Sequence, residues 1–151
     1  MSLQNCESAA ELFELLFKMV ESEDARLCLT VKGFLRTICR LITEEVVRIE
    51  AQERSFHIDI SRGFILHKLI ELLSKFLEVP NIRSRFMRDE LLSQVLEALL
   101  VIRGLIVQKT KLISDCNRLL RELLDSLLLE SNKNKHLFIR ACILGLQGHG
   151  Q

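Results

Sequence analysis

The residues of this chain best equipped for chemistry are its four histidines and five cysteines, and their spacing keeps them apart. His57 and His67 lie ten positions apart, whereas His136 and His149 stand far along the chain. A zinc site draws on converging Cys and His ligands, usually with two of them about two to four residues apart. Neither the histidines nor Cys6, Cys28, Cys39, Cys116 and Cys142 supply such a pair. No metal ligand and no cofactor of its own is therefore expected. Cys39, Cys116 and Cys142 fall at helical core positions, where a thiol serves as a small apolar filler. An odd number of cysteines without a CxxC pair fits the reduced thiols of a cytosolic protein better than a disulfide framework.

Carboxylates offer the next possibility. Glu44, Glu45, Glu50 and Glu53, interleaved with Arg48 and Arg54, have the residue types of an acid–base pair, but on a helix their spacing makes ordinary ion pairs. There is no GxSxG, no GxxxxGK[ST], no HExxH and no glycine-rich phosphate loop. No catalytic residue is assigned. The strongest patch of one sign is Arg83, Arg85 and Arg88, with Lys75 a turn or two before it. It is a candidate partner-binding surface for an acidic protein. The competing reading is a solvated helix end, since Asp89 and Glu90 follow at once and partly cancel the field.

The elements that would position these groups are helices. From Arg88 to Ser131 there is no proline and a single glycine, Gly104, which predicts two successive helices with a break near Gln108 to Thr110, forming an antiparallel hairpin. In the second, Leu112, Ile113, Cys116, Leu119, Leu120, Leu123, Leu124, Leu127 and Leu128 recur at three- and four-residue steps against a polar opposite face. The first is apolar nearly all round from Ala98 to Val107, which demands neighbours on more than one side.

Upstream, Ser8 and Glu11 fit a capping box opening a helix with Leu12, Phe13, Leu15, Leu16 and Met19, and Asn5 is an equally good cap one turn earlier. Ser22 followed by Glu23 and Asp24 predicts the next start. From Ala25 the apolar set Leu27, Leu29, Val31, Phe34, Leu35, Ile38, Leu41, Ile42, Val46 and Ile49 predicts either one long helix or two meeting at Gly33, through close packing or a bend. Ser55 to Ile60 alternates like a strand but has no partner, so it is read as a connection into a helix capped by Ser61. That helix stops before Pro80. Asn81 is expected to cap a short turn, and His136 to Gln147 to form a last helix with an unpacked outer edge, as in a piece of something longer.

Composition agrees. Of 151 residues 48% are hydrophobic, yet the aromatics are eight phenylalanines with no Trp or Tyr, so leucine must do most of the packing, and leucine favours helices. A net charge of +1 is too weak to hold nucleic acid through phosphate contacts. No uncharged apolar run reaches the roughly 20 residues of a membrane span, and Met1 to Asn5 lacks the start of a secretory signal. The expected fold is all-α, a single helical segment over residues 1–151 arranged as an irregular armadillo- or HEAT-like stack of antiparallel helices, with a compact helical bundle as the alternative.

Three phrases then carry a resemblance: NCESAAELFELLFKM at Asn5 to Met19, FLEVPNIRSRF at Phe76 to Phe86, and MRDELLSQVLEALLVIRGLIVQKTKLISDCNRLL at Met87 to Leu120. They resemble the C-terminal part of the BIG family, giant plant auxin-transport proteins of the calossin or pushover type and counterparts of very large animal UBR-box E3 ubiquitin ligases. The resemblance implies a cytoplasmic segment of a ubiquitin ligase-related protein, tied to ubiquitin-dependent degradation and, in plants, to auxin transport. The family's zinc sits in its UBR box and ligase module, whose dense Cys and His ligands this chain lacks, so no catalytic or ligand residue carries over. The leading expectation is a non-catalytic scaffold whose partners are other proteins or the rest of the parent polypeptide, without a small-molecule ligand. The rival is a stand-alone adaptor holding an acidic or amphipathic peptide beside Arg83, Arg85 and Arg88. A third reading is peripheral membrane association through Leu99 to Val107.

Overall fold

Leucine stripes at helical spacing do become helices. The computed structural model describes residues 3–54, 60–88, 90–104 and 111–129, together with Ile139, Ile143 and Leu144. Among them the chain forms seven helices and no strand: α1 (Leu3–Met19), α2 (Glu23–Val31), α3 (Phe34–Arg54), α4 (Ile60–Phe76), α5 (Pro80–Arg88), α6 (Leu91–Gly104) and α7 (Lys111–Leu129). The fold is all-α.

Four of these helices touch in a closed circuit: α3 packs on α4, α4 on α7, α7 on α6, and α6 back on α3. Their inner faces supply the core, with Ile38 and Ile42 from α3, Leu66, Leu73 and Phe76 from α4, Leu92 and Ile102 from α6, and Leu120 from α7 all sealed from water. Each such side chain contributes roughly 1.5–3 kcal/mol relative to an exposed one. The other three helices lie outside the circuit, α1 against α4, α2 against α3 and α5 against α6. Contact with α3, α5 and α7 explains why α6 is apolar on so many sides.

The turns differ in instructive ways from the sequence reading. Ser22 does cap α2: it is extended at φ −84°, ψ 145°, and its hydroxyl accepts the Ala25 amide at 3.1 Å. Gly33 separates α2 from α3 with φ +86°, and a Cβ built there would meet nothing within 4 Å. The glycine is thus required for its left-handed backbone and not for close packing. Helix α1 begins at Leu3, so Ser8 lies inside the helix and caps nothing. Likewise α4 starts at Ile60, ahead of Ser61. The segment after Val79 is a full helix and not a short turn capped by Asn81. Pro80 itself opens α5, at the one helical position where a missing N–H costs nothing, and the Val79 carbonyl accepts the amides of Ile82 and Arg83, both at 3.0 Å. Glu90, with φ 62°, links α5 to α6 in a conformation rare for any residue but glycine.

The expected break at Gln108 to Thr110, the connection from Ser55 to Asp59 and nearly all of the last helix lie outside the described residues. Helices α6 and α7 stand on either side of that break and pack together. Among the described residues one face of α1 finds no cover: Leu12, Leu15 and Met19 are each more than half exposed, and Phe13 is the buried side chain of that helix.

Candidate functional site

Helix α5 positions the arginines singled out by charge. Its apolar residues Ile82, Phe86 and Met87 are buried beside α6, which fixes how the rest of the helix faces. Positions two apart on a helix point to nearly opposite sides, and positions three apart share one. Arg85 and Arg88 accordingly stand exposed together, whereas Arg83 is half-buried. The trio does not converge. Arg88 donates its Nε–H to the Ser84 carbonyl at 3.3 Å, and Arg83 and Arg85 each already hold an interaction. Lys75 belongs to a different arrangement, with its Nζ 3.8 Å from a Glu78 carboxylate oxygen.

Arg85 instead meets Arg36 of α3 across a notch of about 70 Å³, lined also by Thr30, Val31, Gly33, Leu35 and Leu91. Sequence reasoning missed Arg36. Nothing near it in the chain signals the pairing, because the two lie far apart in sequence and meet only once α6 folds back on α3 and brings α5 alongside.

Arg26 was also missed, and it organises the junction of α2 with the end of α4. Only 8% exposed, it donates from Nη1 to the Lys75 carbonyl at 2.8 Å and to Glu78 Oε2 at 3.0 Å, and from Nε to the Ser22 carbonyl at 3.3 Å. Thr30, buried one turn on, returns its hydroxyl to the Arg26 carbonyl at 2.8 Å. The side of α2 turned inward buries Arg26 and Thr30 most deeply, with Leu27 and Leu29 half-buried against the core and Val31 76% exposed. A cation at the last turn of α4 satisfies a carbonyl whose one backbone partner among the described residues is the distant Glu78 amide at 3.4 Å.

The acidic run behaves as helix spacing dictates. Arg40 pairs with Glu44 at 2.7 Å and Arg48 with Glu45, which is itself buried. The side chains of Glu53 and Arg54 lie outside the described set. Cys39 and Cys116 are sealed in the core as apolar fillers, and burial pushes both thiols up to about 12. For Cys39 the nearby Arg36 charge opposes that rise, and for Cys116 the Asp115 carboxylate adds to it. The Cys116 thiol points at the Gly63 carbonyl, 3.6 Å away. Cys28 is exposed. His67 sits with Nδ1 2.7 Å from Glu71 Oε1. His57, His136, His149 and Cys142 lie outside the described residues, among which no three His, Cys, Asp or Glu side chains gather as a metal site would need.

In chemical terms the described surface offers a small cationic notch with an apolar floor, suited to holding a group and not to transforming one. The membrane reading loses part of its run, since Ile102 is buried and Val101 packs on the core. Residues 105–107 lie outside the described set. No described helix is long and apolar enough to cross a membrane.

Comparison with known proteins bears out the resemblance. The chain is 71% identical over 143 residues to the auxin transport protein BIG of rice, Oryza sativa subsp. japonica, a match covering 95% of this chain and 3% of that protein. It is 41% identical over 141 residues to a probable E3 ubiquitin-protein ligase of Dictyostelium discoideum, covering 93% of the chain and 2% of the relative. It is 31% identical over 137 residues to the protein purity of essence of Drosophila pseudoobscura pseudoobscura, covering 89% and 2%. The chain thus spans a very small part of the length of the relatives it matches. No family model matches it, and neither does any solved structure.

Proposed function

We propose that this BIG-like chain is a non-catalytic helical scaffold segment of a very large E3 ubiquitin ligase-related protein, placed in its C-terminal region and working in the cytoplasm. The observation that carries the reading is that likeness to the rice auxin transport protein extends over 95% of a chain whose described side chains are spent on packing helices together. Its relatives are named an auxin transport protein and a probable E3 ubiquitin-protein ligase, which supports a parent protein serving ubiquitin-dependent degradation and, in plants, auxin transport. Zinc and ligase chemistry belong to other parts of such a parent. This segment supplies rigid surface to the rest of the polypeptide or to protein partners.

The purified 151-residue chain, mixed with ubiquitin, ATP, an activating enzyme and a panel of conjugating enzymes, is expected to form no ubiquitin chains. Chain formation without other ligase material overturns the non-catalytic assignment.

A further inference from the structure

We infer that the notch between α3 and α5 is a docking point for an acidic, partly apolar peptide segment of a partner protein, held through one carboxylate by Arg36 and Arg85. This deepens the scaffold reading by giving one of its surfaces an occupant. The size of the notch selects among ligands. At about 70 Å³ it falls well short of the space a metabolite or nucleotide needs, since small-molecule pockets run to roughly 300–1,000 Å³. One side chain of a longer ligand fits.

Charge selects further. Two guanidinium groups from separate elements line the notch and none of the lining residues is acidic. Lys32, exposed between the lining residues Val31 and Gly33, and Arg88, exposed near Arg85, add the same sign around it, and exposed Glu90, next to the lining residue Leu91, offsets one of these charges. Arginine's planar fork suits a carboxylate, and such charge-assisted bonds are among the stronger ones. The interaction Arg85 already makes does not exclude a carboxylate, because a guanidinium carries five N–H donors.

The apolar element on offer is Val31, 76% exposed at the rim, since Leu35 and Leu91 beneath it are themselves buried. A ligand with a carboxylate next to a leucine- or isoleucine-sized side chain therefore meets both halves. Arg36 also sits at the start of α3 just past the Gly33 turn, on backbone held by the Gly33 amide donating to the Thr30 carbonyl at 3.0 Å. The two arginines are presented from fixed backbone and not from a loop, which reduces the ordering cost of binding.

The test uses the full chain, uniformly labelled with ¹⁵N, and a synthetic twelve-residue peptide alternating glutamate with leucine, alongside a matched peptide with lysine for glutamate. The expected result is amide shifts confined to Val31–Arg36 and Arg85–Leu91 with the glutamate peptide and none with the lysine peptide. R36E and R85E should each weaken binding by about tenfold or more, as loss of a charge-assisted bond implies. R118E, on the exposed face of α7, should leave binding unchanged, with circular dichroism confirming that every variant is folded. Equal binding of both peptides, shifts away from the notch, or no effect of R36E and R85E overturns the proposal. So does retention on phosphatidylserine vesicles that is lost with the same two variants while the peptide fails to bind. None of these outcomes bears on ubiquitin-chain formation, so the scaffold reading stands or falls separately.

Discussion

Arg26 gives the sharpest test of how this fold is held together. In R26M the aliphatic stem is largely kept and the donors are lost, and in R26A both go. The donor to the Lys75 carbonyl at 2.8 Å is the main loss, and a bond of this kind from a charged group is worth about 1.5–3 kcal/mol. The carbonyl retains one poorer partner, the Glu78 amide at 3.4 Å, which places the loss in the lower half of that range. The Nε bond to Ser22 adds little, because the Ser22 carbonyl keeps the Arg26 amide at 3.2 Å. The ion pair with Glu78 adds less than its 3.0 Å separation suggests. That carboxylate is 59% exposed, and exposed pairs typically contribute about 0–1 kcal/mol.

R26M should therefore cost about 2 kcal/mol, and R26A about 3 kcal/mol once the buried stem is removed as well. E78Q should cost no more than about 0.5 kcal/mol. Urea unfolding of the 151-residue chain, followed by circular dichroism at 222 nm and fitted at constant m, measures all three. An R26A midpoint indistinguishable from the parent, or an E78Q loss as large as that of R26A, would refute the argument that the carbonyl contact and not the ion pair anchors α2.

The turns and the core supply two more tests. Gly33→Ala should destabilise by about 1–2 kcal/mol although its new methyl meets open space, because the whole cost is the φ of +86°, and Gly33→Asn should cost less by the same urea assay. Cys28 should react with a thiol reagent at pH 8, whereas Cys39 and Cys116 should stay unlabelled until the chain unfolds, as peptide mapping by mass spectrometry would read. The sign of the accompanying pH effect is set by those two thiols, raised from 9.0 to about 12. Their neutral forms favour the fold fully below pH 9, and that contribution drains away as pH climbs from 9 towards 12. Replacing both with alanine should flatten the decline.

The class of the fold was legible because helical periodicity is a local signal, and leucine at three- and four-residue steps in α7 meant what it suggested. Ser22 was legible for the same reason, since a cap is settled within four residues. Arg26 was not. A charged residue between Ala25 and Leu27 reads as a solvent-facing position, and only the distant Lys75 carbonyl makes its burial favourable. The start of α1 was set too late because two caps, Asn5 and Ser8, competed on paper and the helix runs through both. At Pro80 the restriction on the preceding residue correctly ends α4, which stops at Phe76, but the same proline suits a first helical position, and a short turn capped by Asn81 is less than the helix it opens. The notch shares the difficulty of Arg26: Arg85 stood out in a run of cations, and Arg36 gained meaning only once α3 and α6 had met.

The circuit of α3, α4, α7 and α6 also sets an order of events at the ribosome. The first two of these rods emerge early, before the two later ones that pack against them in the finished fold have been made. Some fifty residues separate the end of α4 from the end of α7, and at translation speeds of roughly 5–20 residues per second that interval lasts seconds. Through those seconds the half-made ring presents a greasy, unsealed flank. A nascent polypeptide of this kind has to be shielded by chaperones or by its own neighbouring segments until the last rod closes it.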